Sequence, residues 1–134
     1  MTKEESKCTS SPLRCAETRG RQAAQWGFDW NHWSGAFAKV QEELEELNEL
    51  LENGTDSESR RMTEEMGDLL FSVVNLARHI DVDPETALWG AIDKFEERID
   101  QLQSMAASKG EDVESMDIEQ LEQLWNRAKQ NDGS

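Results

Sequence analysis

The sequence predicts an all-α protein, organised as a four-helix-type bundle with a short extra helix at its C-terminal end. Only two prolines occur, good helix formers dominate, and apolar residues recur at helical spacing over most of the chain. No alternation of strands and helices suggests a nucleotide-binding sheet. The 134 residues, 36% of them hydrophobic, suit one core. We therefore expect a single domain over residues 13–130, between disordered ends at 1–12 and 131–134.

Helix starts and stops divide this domain. The glycine and three aromatics of Trp26–Trp30 predict an ordered loop after the first helix. Asn53-Gly54 is a common helix end, and residues 54–57 are a turn. Asp83 before Pro84 predicts a capped helix start, and Asp117 with Gln120 resembles a capping box. The expected helices span about 13–25, 34–52, 58–80, 84–107 and 117–129, the third being the most apolar and the expected central buried element.

Composition excludes several classes of protein. A formal net charge of −15 repels polyanions, which argues against binding nucleic acid. The longest apolar runs are far too short to span a membrane, and no export signal is present. Cys8 and Cys15 form no C-x-x-C pair, so neither a disulfide scaffold nor a zinc site is expected. These features predict a soluble cytoplasmic protein.

Two carboxylates of the second helix fall in an unusual place. At 100° per residue, Glu43 and Glu46 lie on or beside the apolar stripe, whereas Glu45 and Glu49 lie on the solvent side. Lys39 lies beside the same stripe. Carboxylates on the edge of a core cost several kcal/mol unless something compensates them. A compensating ligand is therefore expected.

The third helix shows the same anomaly. A continuous polar line survives on its apolar surface, formed by Glu65, Asp68, Ser72, Asn75 and His79. Glu43-x-x-Glu46 and Glu65-x-x-Asp68 each place two carboxylates on one helix face, so neighbouring helices would bring four together. Oxygen-only ligand sets suit Mg²⁺, or Mn²⁺, better than zinc.

Four residues near the C-terminal end allow two interpretations. Lys94 and Arg98, four apart, are either surface cations paired with neighbouring glutamates or, with Lys39, a clamp for phosphate. Trp125 and Lys129, also four apart, are either a core aromatic and a surface charge or a pair that holds a base and a phosphate.

Several ordered motifs resemble the MazG family of all-α nucleoside triphosphate pyrophosphohydrolases. They are KVQEELEEL from Lys39, EEMGDLLF from Glu64 and VNLARH from Val74, and they reproduce the family's E-x-x-E, spacer, E-x-x-D signature. The likeness continues at GFDW (27–30), KFEER (94–98) and LWNRAK (124–129). It covers about residues 18–130 and is nearest to the C-terminal catalytic domain of the two-domain bacterial enzyme.

This resemblance implies a site and a reaction. It implies that Mg²⁺, with Mn²⁺ as a substitute, is bound by Glu43, Glu46, Glu65 and Asp68. It places Lys39, Lys94 and Arg98 on the triphosphate, and Asn75, Trp125 and Lys129 near the nucleotide. Water would attack the α-phosphorus with Glu42 or Glu46 as general base, giving a monophosphate and pyrophosphate. Family members work as dimers or larger oligomers, so the resemblance implies a homodimer or a dimer of dimers for this chain. Such an enzyme would clear surplus or damaged nucleotides.

Two other kinds of protein share parts of this pattern. A non-catalytic acidic helical module that binds a protein partner would keep the carboxylates only as solvated charge. A di-iron bundle would need Glu-x-x-His on two helices. Leu76 stands three residues before His79, and Asp29 stands three before His32, so that pattern is missing.

Overall fold

Five α-helices account for most of the chain. The computed structural model describes residue 8, residues 11–54 and residues 59–131. The helices are α1 (Pro12–Gln25), α2 (Trp33–Glu52), α3 (Ser59–His79), α4 (Pro84–Ser108) and α5 (Ile118–Asn131), with a 3₁₀ turn at Val113–Ser115. No strand occurs in these ranges, which confirms the predicted all-α class.

The helix ends lie within a residue or two of those expected wherever they can be compared. Pro12 and Asn131, predicted as parts of the disordered ends, belong instead to α1 and α5. Apart from Cys8 and Ser11, the other residues of the two predicted disordered ends lie outside the described residues. Residues 55–57 of the predicted turn at 54–57 also lie outside them.

Side-chain caps explain two of the helix starts. Asp83 Oδ1 accepts a hydrogen bond from the Glu85 backbone N–H at 3.2 Å, just ahead of Pro84 in α4. At α5, Asp117 Oδ1 accepts from the Gln120 N–H at 2.9 Å, and Gln120 Oε1 accepts from the Asp117 N–H at 3.0 Å. This reciprocal pair is the capping box that the sequence predicted.

The chain divides into two compact units at Ala87 and Leu88. In the first unit α3 packs against α2 and α1, and the buried apolar side chains are Ala36, Leu47, Leu50 and Val74. In the second unit α4 and α5 enclose a separate cluster made of Leu102, Ala106, Leu124 and Ala128. The single domain expected over residues 13–130 stays a prediction.

Helix α3 is less buried than the sequence predicted. Leu70, Phe71 and Val73 are 43–56% exposed, whereas Val74 is 3% exposed. The prediction of a central buried helix was wrong because α1 and α2 cover only part of a helix whose apolar residues extend around most of its circumference.

The start of α1 carries contacts that the sequence did not predict. Arg14 Nη1 lies 2.7 Å from Asp83 Oδ1, and its Nε lies 3.2 Å from Glu85 Oε2. Cys8 and Cys15 form a disulfide, with Cα atoms 5.4 Å apart, although their spacing had predicted none. Since α1 begins at Pro12, Cys15 lies in its first turn.

Candidate metal and substrate site

Three carboxylates from α2 and α3 converge in the first unit. One oxygen each from Glu43, Glu46 and Glu65 lies within 4.8 Å of the others. Glu43 and Glu46 are one turn apart on α2, and α3 packs against that helix with Glu65. Glu43 is 5% exposed, Glu65 is half-buried and Glu46 is exposed. The helical angles therefore predicted the position of Glu43 correctly, because this carboxylate is buried with the apolar face of α2.

The three carboxylates repel one another. A hydrogen bond with Glu65, and then repulsion from the charge of Glu43, raise the pKa of the Glu46 carboxyl above its ordinary value. Negative charge is therefore concentrated where α2 and α3 meet. A cation would relieve the same repulsion.

Lys39 compensates one side of the cluster. Its Nζ lies 3.0 Å from Glu43 Oε1 and 3.4 Å from Glu42 Oε1. The hydrogen bond to Glu43 is the main cause that raises the pKa of Lys39 above its ordinary value. The ammonium therefore stays charged and neutralises one carboxylate, while Glu42 is exposed to solvent.

The remaining oxygens fit a divalent cation. Glu43 Oε2 and Glu65 Oε2 are buried and have no hydrogen-bond partner. Bare buried carboxylate oxygens are costly, and oxygen-only sets are what Mg²⁺ and Mn²⁺ prefer. Asp68, the fourth predicted ligand, is exposed and lies outside this trio, but it lines the same cavity as Glu43.

That cavity has a volume of about 670 Å³ and is formed by α1, α2, α3 and the loop after α1. Besides Glu43 and Asp68 it is lined by two further predicted site residues, Lys39 and Asn75. Four of the seven predicted site residues of the first unit thus line one space, whereas Glu42, Glu46 and Glu65 do not line it. A volume of this size is typical of pockets for small organic ligands.

Sequence reasoning missed part of the cavity wall. Trp30 and Asp29 line it, although their segment was predicted only as an ordered loop and as part of the GFDW motif. Arg78 lines it as well and holds Asp29 through two hydrogen bonds of 2.7 and 2.8 Å. A pair 49 residues apart leaves no local sequence signal, so only the fold could reveal it.

The predicted residues of the second unit form a different group. Arg98 is 8% exposed, and its guanidinium lies 5.4 Å from the centre of the Trp125 ring. The Phe95 ring packs against the same tryptophan at 5.4 Å between centroids. Lys94 and Lys129 are exposed. Arg98 is thus a buried cation rather than a surface one, and the substrate roles of these four residues stay predictions.

The fold and the site define a class of protein: an all-α chain with a partly buried carboxylate cluster beside a ligand-sized cavity. The model of the MazG nucleotide pyrophosphohydrolase domain matches residues 36–103, which include the three clustered carboxylates and Asp68. The chain belongs to this family, as its motifs predicted.

Curated proteins from several bacteria are similar to it. A nucleoside triphosphate pyrophosphohydrolase/pyrophosphatase MazG of Thermotoga maritima is 43% identical over 120 residues, and these cover 90% of this chain and 45% of that protein. A nucleoside triphosphate pyrophosphohydrolase of Escherichia coli K12 is 35% identical over 117 residues, 87% of this chain and 44% of that protein. The chain therefore spans less than half the length of these relatives.

Proposed function

We propose that this protein is a Mg²⁺-dependent nucleoside triphosphate pyrophosphohydrolase, which converts ribo- or deoxyribonucleoside triphosphates into the monophosphate and pyrophosphate. The observation that carries the proposal is the convergence of Glu43, Glu46 and Glu65, two of which keep buried oxygens without a partner. Membership of the MazG family and the similarity to two nucleoside triphosphate pyrophosphohydrolases support the same reaction.

In this proposal the carboxylates of α2 and α3 hold the metal ion. Glu43, Glu46 and Glu65 are its ligands, and Asp68 joins them from the cavity wall. Mg²⁺, or Mn²⁺ in its place, supplies Lewis acidity and neutralises charge on the phosphate oxygens. It also turns a strongly acidic site into one that accepts an anionic substrate.

The other polar groups act on the substrate itself. Lys39 contacts the triphosphate, since its ammonium lies 3.0 Å from Glu43 of the cluster. Glu42 or Glu46 accepts the proton of the attacking water, since both are exposed carboxylates, Glu42 beside the cluster and Glu46 within it. Lys94 and Arg98 stabilise the pyrophosphate leaving group, as their motif in the family implies.

The interaction-module alternative fits the burial less well. That alternative keeps the carboxylates as solvated charge, yet Glu43 is 5% exposed and has an unpartnered oxygen. A di-iron centre lacks support as well, because the carboxylate cluster of the described chain includes no histidine. We expect the role of the enzyme to be housekeeping of the nucleotide pool.

The test compares Glu65→Gln with Glu49→Gln under Mg²⁺, Mn²⁺ and chelator. Loss of a ligand should lower triphosphate hydrolysis by more than about a hundredfold and should reduce the rise in melting temperature on adding Mg²⁺. Glu49 is an exposed α2 carboxylate outside the cluster, so Glu49→Gln should behave like the wild type. Equal metal responses in both variants, or hydrolysis that survives chelation, would overturn the proposed site.

A further inference from the structure

The start of α1 carries a disulfide that the proposed reaction does not use. Cys8 and Cys15 are the only two cysteines of the chain, and they are joined across a separation of seven residues. Both are half-buried rather than buried, so a small dithiol can reach them. Because the chain has no third cysteine for exchange, this pair has two covalent states within the protein, a disulfide or two thiols.

The disulfide closes a covalent ring where α1 contacts the start of α4, within the first unit. The ring includes Ser11, whose hydroxyl accepts a hydrogen bond from the Arg14 backbone N–H at 3.3 Å and donates one to Glu85. It also includes Arg14, whose guanidinium lies 2.7 Å from Asp83 and 3.2 Å from Glu85. Two residues that join α1 to the start of α4 therefore lie between the two cysteines.

The ion pairs alone hold this end of α1 weakly. The side chains of Arg14 and Asp83 are 40% and 38% exposed, and ion pairs in contact with water contribute little stability. A disulfide constrains the chain more strongly, since it removes conformations from the unfolded state. The covalent link is therefore the stronger of the two restraints, and it is the one that a reductant can open.

The packing of α1 indicates what opening the ring would change. Five residues after Cys15, Gly20 is buried against α3, where an added Cβ would lie 2.6 Å from Asn75 Oδ1. Arg19 and Ala23 of the same helix line the cavity. By contrast, the buried apolar side chains of the first unit belong to α2 and α3. Opening the ring should thus loosen α1 without unfolding the unit.

We propose that Cys8 and Cys15 form a reversible redox switch that controls how firmly α1 is held on α3. A dithiol reduces the pair when one of its thiolates attacks a sulfur atom, breaks the S–S bond and forms a mixed disulfide. The second thiol of the reductant then displaces the protein from the mixed disulfide. Two electrons and two protons pass to Cys8 and Cys15, the reductant leaves as a disulfide, and an oxidised dithiol reverses the exchange.

The first experiment counts thiols in the folded protein. Wild type is equilibrated with mixtures of dithiothreitol and its oxidised form, treated with a maleimide and analysed by intact mass spectrometry. No label is expected in oxidising mixtures and one on each cysteine in reducing mixtures, with the disulfide restored when the oxidised reagent is returned. A pair that stays closed until the protein is denatured, or that does not form again, would overturn the switch.

Hydrogen exchange read by mass spectrometry reports whether the switch acts on α1. Reduction should make the amides of α1 exchange about tenfold faster or more, and should change those of α2 by less than about twofold. Cys8→Ser should reproduce the reduced wild type in either mixture. Equal exchange of α1 in the oxidised and reduced wild type would overturn the inference, and this comparison needs no variant that folds.

A further variant separates the covalent link from the ion pairs. Arg14→Gln removes the contacts with Asp83 and Glu85 and keeps both cysteines. In the oxidised variant the amides of α1 should exchange within about threefold of their rate in wild type, and reduction should accelerate them as it does in wild type. If the oxidised variant exchanged as fast as reduced wild type, the ion pairs would be what holds α1, and the switch would be refuted.

The effect on catalysis rests on the proposed function. Because α1 forms one wall of the cavity, reduction should raise KM for a nucleoside triphosphate by about threefold or more in wild type and leave that of Cys8→Ser unchanged. The same KM for both forms of the wild type would overturn an effect on substrate binding. Absence of hydrolysis in both forms would refute the proposed function alone, since thiol counting and hydrogen exchange need no substrate.

Discussion

Asp29 shows how much of the site depends on one charge. Two hydrogen bonds from the Arg78 guanidinium, aided by one with His79, lower the pKa of the Asp29 carboxyl far below its ordinary value. The Trp30 backbone N–H bonds to the same carboxylate. One ionised side chain therefore links the aromatic loop to the end of α3.

A pH titration of stability tests this link with Asp29→Asn. A carboxyl whose pKa is depressed by folding stabilises the native state above its unfolded pKa of about 3.9, and the contribution is lost as pH falls through the folded value. Wild type should thus exceed the variant by about 1–2 kcal/mol above pH ~5. Urea unfolding should show the difference shrinking below pH ~4. A difference that stays constant to pH ~2 would mean that the carboxylate charge is not what stabilises the loop.

Single residues also show the limits of prediction from sequence. Helical angles identified Glu43 as a misplaced carboxylate, because the position of a residue on a helix face follows from local spacing alone. The Asp29–Arg78 pair and the Gly20–Asn75 contact join distant segments, so their geometry depends on how the helices pack. The convergence of the carboxylates was therefore largely predictable, and the cavity beside them was not.

At the scale of the helix, α3 has one face that packs against α1 and α2 and another that is exposed to solvent. Val74 is 3% exposed, whereas the preceding Val73 is 44% exposed. The apolar composition of α3 predicted burial of both valines. Only the partners α1 and α2 determine which valine is covered.

The two valines form a matched pair for unfolding experiments. Val74→Ala removes two buried methyl groups and should lower the free energy of unfolding by about 1–3 kcal/mol. Val73→Ala, at the same low protein concentration, should change it by less than about 0.5 kcal/mol. Equal losses would contradict the packing of α3 described above.

Helix boundaries were well predicted because their causes are local. Asp83 before Pro84 and the Asp117–Gln120 box fix the starts of α4 and α5 through contacts within three residues. The disulfide between Cys8 and Cys15 was missed because spacing alone says nothing about how the chain turns ahead of α1.

For the whole molecule, both units expose large apolar side chains. Leu70 and Val73 are 56% and 44% exposed in the first unit, and Trp89 and Phe95 are 58% and 56% exposed in the second. No helix in the described part of the chain is both long and apolar enough to cross a bilayer. The cytoplasmic location stays a prediction.

We propose that a second copy covers this apolar surface, as a homodimer or a dimer of dimers. Light scattering coupled to size exclusion should then give a mass at least twice the 15.3 kDa of one chain, at micromolar concentration and in an active preparation. A fully active species of 15.3 kDa would refute the assembly.

The most direct test of the central claim is ³¹P NMR of the reaction run in ¹⁸O-labelled water with Mg²⁺. If the carboxylate site directs water to the α-phosphorus, the products should be nucleoside monophosphate and pyrophosphate, with the label in the monophosphate alone. Nucleoside diphosphate and orthophosphate as the main products, or label in the pyrophosphate, would contradict the account.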